Sequence, residues 1–565
     1  MNRKWNRAIA MALVAIMMIA VLPAGVFAEE KLDPITFTVY AGGSNPGTFD
    51  EDACHQYIRE ELGIDLQFMW PATDNQTAVN LMLVGEDYPD AIRFKWGHEI
   101  ISFVTGGHVV ELTEYINKYA PRLVGLMESN DRLFKFDIPD YTEELWYIPS
   151  QLGTEEYPNI EPTIGVRFDV WKQVAENIED LPKPKDLDEF YELLKAMVEA
   201  QPESEGKKAY AISGWLADNW GGQWLIWSYL RLAGSYQWLG TAVEADDFQR
   251  KYCIDSEEWL WAMRFLNRAY RDGIADPEAV TMNQEAYNKK LAQGLIYTTP
   301  YSGFWLDGVA NVARAAAGHP EQILVPYSWM SYPESSGITG TSVTGAYDPR
   351  GIHKTLITKN CQDPEEVFKR LSWLMTEEGI VFQGMGLEGV HWDYDEDGFR
   401  KPKDEIIEMY LNDPDFAHKT GVGKYRLFSD YFYGCDANGD AYNIEENKYV
   451  MARKEDDYVR EYKEFLNLNP NLSLEASAAK AGGVTDEALW VGDLGIVDNE
   501  YQDIEIQLNA LEAEYIGKLY CAKDDETFDA LLVEWRTKAE GANYKHYYDH
   551  INPQIEERYT NFKNK

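Results

Sequence analysis

Residues 261–300 read WAMRFLNRAYRDGIADPEAVTMNQEAYNKKLAQGLIYTTP, and they decide the fold class. Met263, Leu266, Ala269 and Tyr270 recur at helical spacing, and Gly273 supplies a C-terminal stop. Asp276-Pro277 marks a turn, and EAYNKKLAQG (285–294) reads as a second helix. A short strand then runs into Tyr301-Ser302-Gly303-Phe304-Trp305. No catalytic dyad is visible in the stretch, and Asp276 reads as a turn residue.

The same alternation extends to the N-terminal side. Residues 34–40 (PITFTVY), 64–70 and 90–94 read as strands, separated by helical stretches at 50–62 and 76–84. Strands alternating with helices predict βαβ units and a largely parallel sheet. Residues 148–162 bear Pro and Gly without periodicity and read as a crossover, followed by a strand at 163–168.

The first 28 residues have the pattern of an export signal. Arg3, Lys4 and Arg7 precede the apolar run 8–22, which is short for a membrane span, and Val26-Phe27-Ala28 fits peptidase cleavage after Ala28. No cysteine follows the run closely, so the lipid-anchor route has no attachment point there. The formal charge is −43. Loss of the three leader cations takes the mature chain to about −46, a surface repelled by nucleic acid and anionic membranes. Aromatic residues make up 13% of the chain, which excludes an acidic disordered polypeptide and leaves rings to spare for a ligand. Five cysteines, widely spaced and without a Cys/His cluster, argue against zinc.

Six blocks occur in one order: LMLVGEDYPDAI (81–92), IGVRFDVWKQV (164–174), PKPKDLDEFYELLKA (182–196), FLNRAYRDGIADPE (265–278), CQDPEEVFKRLSWLMTEEG (361–379) and GLEGVHWDYDEDG (386–398). Together they resemble the extracellular solute-binding proteins of bacterial carbohydrate ABC importers, family 1-like, in the long Gram-positive form. The resemblance implies a two-lobed α/β fold of the type II periplasmic-binding-protein kind. Each lobe would be a mostly parallel sheet flanked by helices, with crossover segments joining the two. It implies an oligosaccharide ligand, membrane permease subunits as partners, a monomer and no catalysis. On this reading residues 33–150 begin the first lobe and 163–320 the second. Residues 321–400 return to the first, and 401–565 belong mainly to the second with C-terminal helices. The chain departs from the family pattern in lacking the lipobox cysteine.

Sugars present C–H faces to aromatic rings and hydroxyls to planar polar groups. Trp220, Trp224 and Trp227 share a helix face, flanked by Trp215 and Trp238, with Gly221-Gly222 thinning the backbone; the stripe is a ligand wall or a core stripe. Tyr301, Trp305, Trp329 and His391-Trp392 sit in loops near strands, where open α/β sheets bind ligands. Lys95 and Trp96 follow the 90–94 strand. Arg167 either forks onto a ligand or pairs within its lobe with Asp169. Asp393, Asp395, Asp397, Gly398 and Asp404 match calcium-loop spacing, and the same residues read as a hairpin turn; Asp436–Asp440 is a poorer version. A secreted glycoside hydrolase or lyase and a peptide-binding scaffold are the competing function classes. The chain lacks nucleophile-elbow, zinc-protease and phosphate-loop motifs.

Overall fold

The computed structural model describes residues 33–41, 52–70, 75–94, 98–129, 144–150, 159–160, 164–218, 221–233, 236–238, 241–243, 249–300, 306–327, 329–339, 343–346, 353–413, 415–426, 434–455, 457–470, 473–474, 477, 483–485 and 499–563. The export signal, Lys95, Trp96, Trp220, Tyr301 and Trp305 lie outside the described residues.

The strands that position the site are, in chain order, β1 (Ile35–Ala41), β2 (Ile64–Met69), β3 (Ala91–Phe94), β4 (Ile148–Ser150), β5 (Asn159–Ile160), β6 (Gly165–Arg167), β7 (Thr298–Thr299), β8 (Leu324–Pro326), β9 (Val343–Ala346), β10 (His353–Ile357), β11 (Trp392–Tyr394), β12 (Arg400–Pro402) and β13 (Gly483–Thr485). The first lobe is a sheet in the order β2-β1-β3-β10-β4. β1 is parallel to β2 and β3, while β10 runs antiparallel to both its neighbours. Phe37, Val39, Ile64, Leu66 and Ile357 fill its core from the sheet, with Ile58, Ile116 and Phe368 from covering helices.

The second lobe is built around β6, which pairs antiparallel with β7 and β8. Single parallel bridges extend this sheet from Ile296 to Tyr210 and from Ile212 to Ala275. Helix Glu257–Arg271 starts four residues before the sequence reading put it. Ser256 accepts the Trp259 N–H at 3.2 Å, with Glu257 and Glu258 in the first turn. Its inner face buries Trp259, Ala262, Met263, Leu266 and Ala269, and Gly273 closes it at φ +75°. Asn267 on the same face caps the end of the C-terminal helix Asn499–Tyr520. Its Nδ2 reaches the carbonyls of Leu519, Tyr520 and Ala522 at 3.0, 3.0 and 2.7 Å.

β5, β9 and β13 form a separate small sheet. β5 lies between β4 of the first lobe and β6 of the second, and β9 lies between β8 and β10. The chain therefore passes between lobes through adjacent, hydrogen-bonded strands.

Two expected boundaries move. β8 pairs with β6, so the chain stays in the second lobe past residue 321 and rejoins the first at His353. Residues 380–450 gather a core of their own, including Ile380, Trp392, Ile407, Phe416 and Val450, rather than joining the second lobe. That third body is fastened to the first lobe by Lys424, whose ammonium lies 2.8 Å from the buried Asp52 carboxylate, and by Tyr425, 2.7 Å from the same oxygen.

Asp276 has no exposed surface. It accepts bonds from the Glu278 N–H (3.0 Å), Ser213 Oγ (3.0 Å) and Lys290 Nζ (2.7 Å). Asp276→Ala leaves a half-satisfied lysine over a buried turn, and the expected cost is about 3 kcal/mol. Urea unfolding should show that loss, with ligand affinity unchanged once the variant is folded.

Candidate functional site

Strand direction locates the site. In the first lobe, β1, β2 and β3 all end at one edge, at Ala41, Met69 (followed by Trp70) and Phe94. β4 ends at the same edge at Ser150, and β10 begins there at His353, opposite Ser150. In the second lobe, β7 ends at Thr299 opposite Gly165, and β8 ends at Pro326 opposite the same residue. The segment through Ile212, parallel to the one through Ile296, ends there too and leads into Trp215 and the helix Gly221–Leu230. These two edges are the ones from which the crossovers depart: Ser150 toward β5, β5 to Gly165, Pro326 toward β9, and β9 to His353. Both sheets thus present strand-end loops toward the crossover sheet, and the space beside it is the candidate cleft.

In the sequence Trp220 directly precedes the helix Gly221–Leu230, and Tyr301–Trp305 follows β7; both lie outside the described residues. Trp224, half-buried, packs on Trp227 with ring centroids 5.1 Å apart. Trp329 follows β8 at the same edge. It packs edge-on against Tyr327 at 5.6 Å, and its buried indole N–H has no partner among the described residues. On the first lobe, half-buried Trp70 stacks on Phe68 at 5.8 Å. Ser150 presents a buried hydroxyl without a partner among the described residues. The sequence reading passed over Trp70, although it closes a strand of the parallel sheet and the strand-end rule that picked Tyr301 applies equally to it.

Arg167 does not join this edge. β6 runs opposite to β7 and β8, so its C-terminal residue lies at the far end of the sheet. Arg167 is 1% exposed and forks onto Asp169 at 2.8 and 2.7 Å, with a third bond to the Gly294 carbonyl at 3.2 Å. The lobe-internal ion pair is the arrangement present. Trp392 also lies elsewhere, in the core of the third body, donating its indole N–H to the Gly386 carbonyl at 3.1 Å. Trp215 is fully buried against Tyr287 at 4.8 Å, and Trp227 faces the core. Gly221 is required by this packing: a Cβ there would meet the Trp215 carbonyl oxygen at 2.1 Å. The glycine pair thins the backbone for tryptophan packing; a Cβ on Gly222 would meet Ile516.

The calcium-spaced aspartates do not converge. Asp395 accepts the N–H groups of Asp397 and Phe399 and the Tyr449 hydroxyl, with Lys448 Nζ at 3.2 Å. These donors hold its carboxyl well below the usual carboxylate range. Asp393 faces Lys403 at 4.0 Å, and Asp404 pairs with Arg453. Asp393, Asp395 and Asp404 each face a different cation, and β11, β12 and Gly398 at φ +84° make the stretch a hairpin. Among the described residues no group of three or more His, Cys, Asp and Glu side chains gathers in metal-binding geometry.

No family model matches the chain. It is 21% identical over 430 residues, 75% of this chain and 78% of the relative, to lipoprotein LipO of Bacillus subtilis (strain 168). The solved structures it resembles include the alginate-binding protein AlgQ2, without calcium ion (16% identity, 93% of this chain and 98% of that one, TM-score 0.58). An HMO-binding, ABC-transporter-associated solute-binding protein of Bifidobacterium longum infantis ATCC 15697 matches at 13% identity (94% and 99%, TM-score 0.63). FusA of S. pneumoniae in complex with kestose matches at 13% (94% and 100%, TM-score 0.59). The fold is the two-lobed α/β fold of the solute-binding proteins of ABC transporters.

The third body carries a pH dependence. His391 is buried, and its Nδ1 accepts the Leu387 N–H at 2.9 Å. Burial holds its imidazole below the ordinary range. An unfolded imidazole takes up its proton near pH ~6.5, whereas the folded one does so lower. The stability from this group is therefore present above that value and is lost as pH falls through the folded one. Urea midpoints taken from neutral pH downward should fall more steeply for the parent than for His391→Gln.

Proposed function

We propose that the chain is the extracellular binding component of a carbohydrate ABC importer. It captures an oligosaccharide between its lobes and presents it to the transmembrane subunits. The observation that carries this reading is the meeting of two strand-end edges at the crossover strands, with aromatic residues placed on each. Trp70 serves the first lobe, and Trp224 and Trp329 the second; Trp96 and residues 301–305, outside the described residues, follow β3 and β7 in the sequence. Aromatic faces supply stacking for pyranose or furanose rings, and the Trp329 N–H and Ser150 hydroxyl, which have no partner among the described residues, suit ring hydroxyls. The names of the structural neighbours, which bind alginate, kestose and HMO, support the carbohydrate class. Closure needs no chemistry: a ligand touching both edges favours the closed arrangement over the open one.

The ligand is a neutral oligosaccharide on this reading. The chain carries −43, and Arg167, the one described cation that the sequence offered to a uronate, is spent inside its lobe. The leader would direct export.

A thermal-shift panel of neutral and uronate oligosaccharides tests the proposal. A true ligand at about 100 times its dissociation constant adds ~2.7 kcal/mol of stability. Stabilisation without release of reducing ends is the expected result. Product release, or stabilisation by peptides alone, sinks the reading.

Single-site variants test the cleft. Trp70→Ala and Trp305→Ala should each weaken binding by roughly tenfold or more. Arg167→Met should lower stability and leave affinity as it was. Titration calorimetry on folded protein separates these outcomes, and an affinity loss in Arg167→Met as large as that in Trp305→Ala would overturn the assignment of edges.

A further inference from the structure

The loop Asp436–Asp440 curls around its own acidic side chains. Asp436 Oδ1 accepts the N–H groups of Asn438 and Asp440 at 2.8 and 3.1 Å, and the Asp436 N–H closes the ring on the Asp440 carbonyl at 3.0 Å. Gly439 at φ +80° permits the tight return. Into this concavity reaches Arg400, 6% exposed. One guanidinium nitrogen lies 3.0 Å from Asp436 Oδ2 and 2.8 Å from the Asp440 carbonyl oxygen. Nε lies 3.3 Å from the Ala441 carbonyl and 3.2 Å from Asp440 Oδ2, and the Arg400 N–H bonds that same oxygen at 2.7 Å. Two carboxylates and two carbonyls around one positive charge form the hard-oxygen donor set that calcium takes.

We infer that the Arg400 guanidinium is the permanent, built-in cation of this loop, so that the third body keeps its shape without a divalent metal and exposes a latent cation site only when that charge is removed. Three observations lead there. The donor oxygens are already bonded, at hydrogen-bond distances, to a group that cannot dissociate or be chelated. Asp440 is 4% exposed, and burial pushes its carboxyl up while Arg400 pulls it back. The neighbouring acidic turn follows the same plan, with Lys448 beside Asp395 and its ammonium 3.6 Å above the Phe399 ring. Phe399 and Arg400 are consecutive at the start of β12, so one turn end positions the packing surface for one cation and supplies the other.

The test uses the full chain, with terbium as a luminescent calcium substitute excited through nearby tyrosines. The parent protein should melt at the same temperature in chelator and in excess calcium, and should give no sensitised terbium emission. Arg400→Ala and the milder Arg400→Gln should melt lower in chelator, recover with calcium, and bind terbium. Arg400→Lys, which keeps the charge, should remain indifferent to calcium. Parent protein destabilised by chelator and restored by calcium overturns the inference. So does failure of calcium to raise the melting temperature, or the folded yield, of either neutral variant.

Discussion

The buried carboxylate of Asp276 is the point on which the second lobe turns. It ends a strand segment, caps the turn Pro277–Thr281 and binds Lys290 on the following helix. The Asp276 N–H reaches the Ile212 carbonyl at 2.8 Å, and its own carbonyl receives the Tyr520 hydroxyl at 3.0 Å. One residue thus joins the strand feeding Trp215, the helix feeding β7, and the end of the long C-terminal helix. A carboxylate with no exposed surface is tolerated only when its oxygens are bonded, and here the bonds come from three separate pieces of chain.

Strand direction then does what residue type cannot. Arg167 and Trp305 both stand near strand ends in the sequence, and both residue types suit a sugar. β6 enters the second lobe from the crossover and runs away from it, whereas β7 and β8 run back. A residue at the C-terminal end of β6 is therefore removed from the cleft by the sheet's length. Periodicity reports that a strand exists; it does not report which way its neighbours run.

This marks how far the sequence was legible. Alternating strands and helices, the helix pair after Ser256, the Asp276 turn and the hairpin at Asp-Gly could be read, because each rests on local patterns of caps, glycines and apolar spacing. The third body could not. Its core joins Ile380, Trp392, Ile407 and Val450 across some seventy positions with no repeating period. Trp392 looked like a strand-end ring for the same reason that Trp70 was overlooked: exposure of an aromatic depends on partners far away in sequence. The crowded tryptophans at 215–227 were half legible. Their helix spacing was right, but Gly221 answers to the Trp215 carbonyl, a contact that spacing does not encode.

The acidic balance of the chain explains a recurring arrangement. The chain has 52 basic and 95 acidic side chains, so carboxylates outnumber cations nearly two to one. Arg167 with Asp169, Lys424 with Asp52, Lys463 with Glu455 and Arg400 with Asp436 and Asp440 are all buried cations so paired. Desolvating such a pair costs about what its attraction returns, so these contacts add little net stability compared with apolar packing. What they add is geometry, since a forked guanidinium accepts one orientation of its carboxylate. Lys424 fixes the third body to the first lobe, and Lys463 joins α-helical segments on either side of residue 456. Each such cation fixes one orientation of its carboxylate, within a body for Arg167 and Arg400 and between bodies for Lys424.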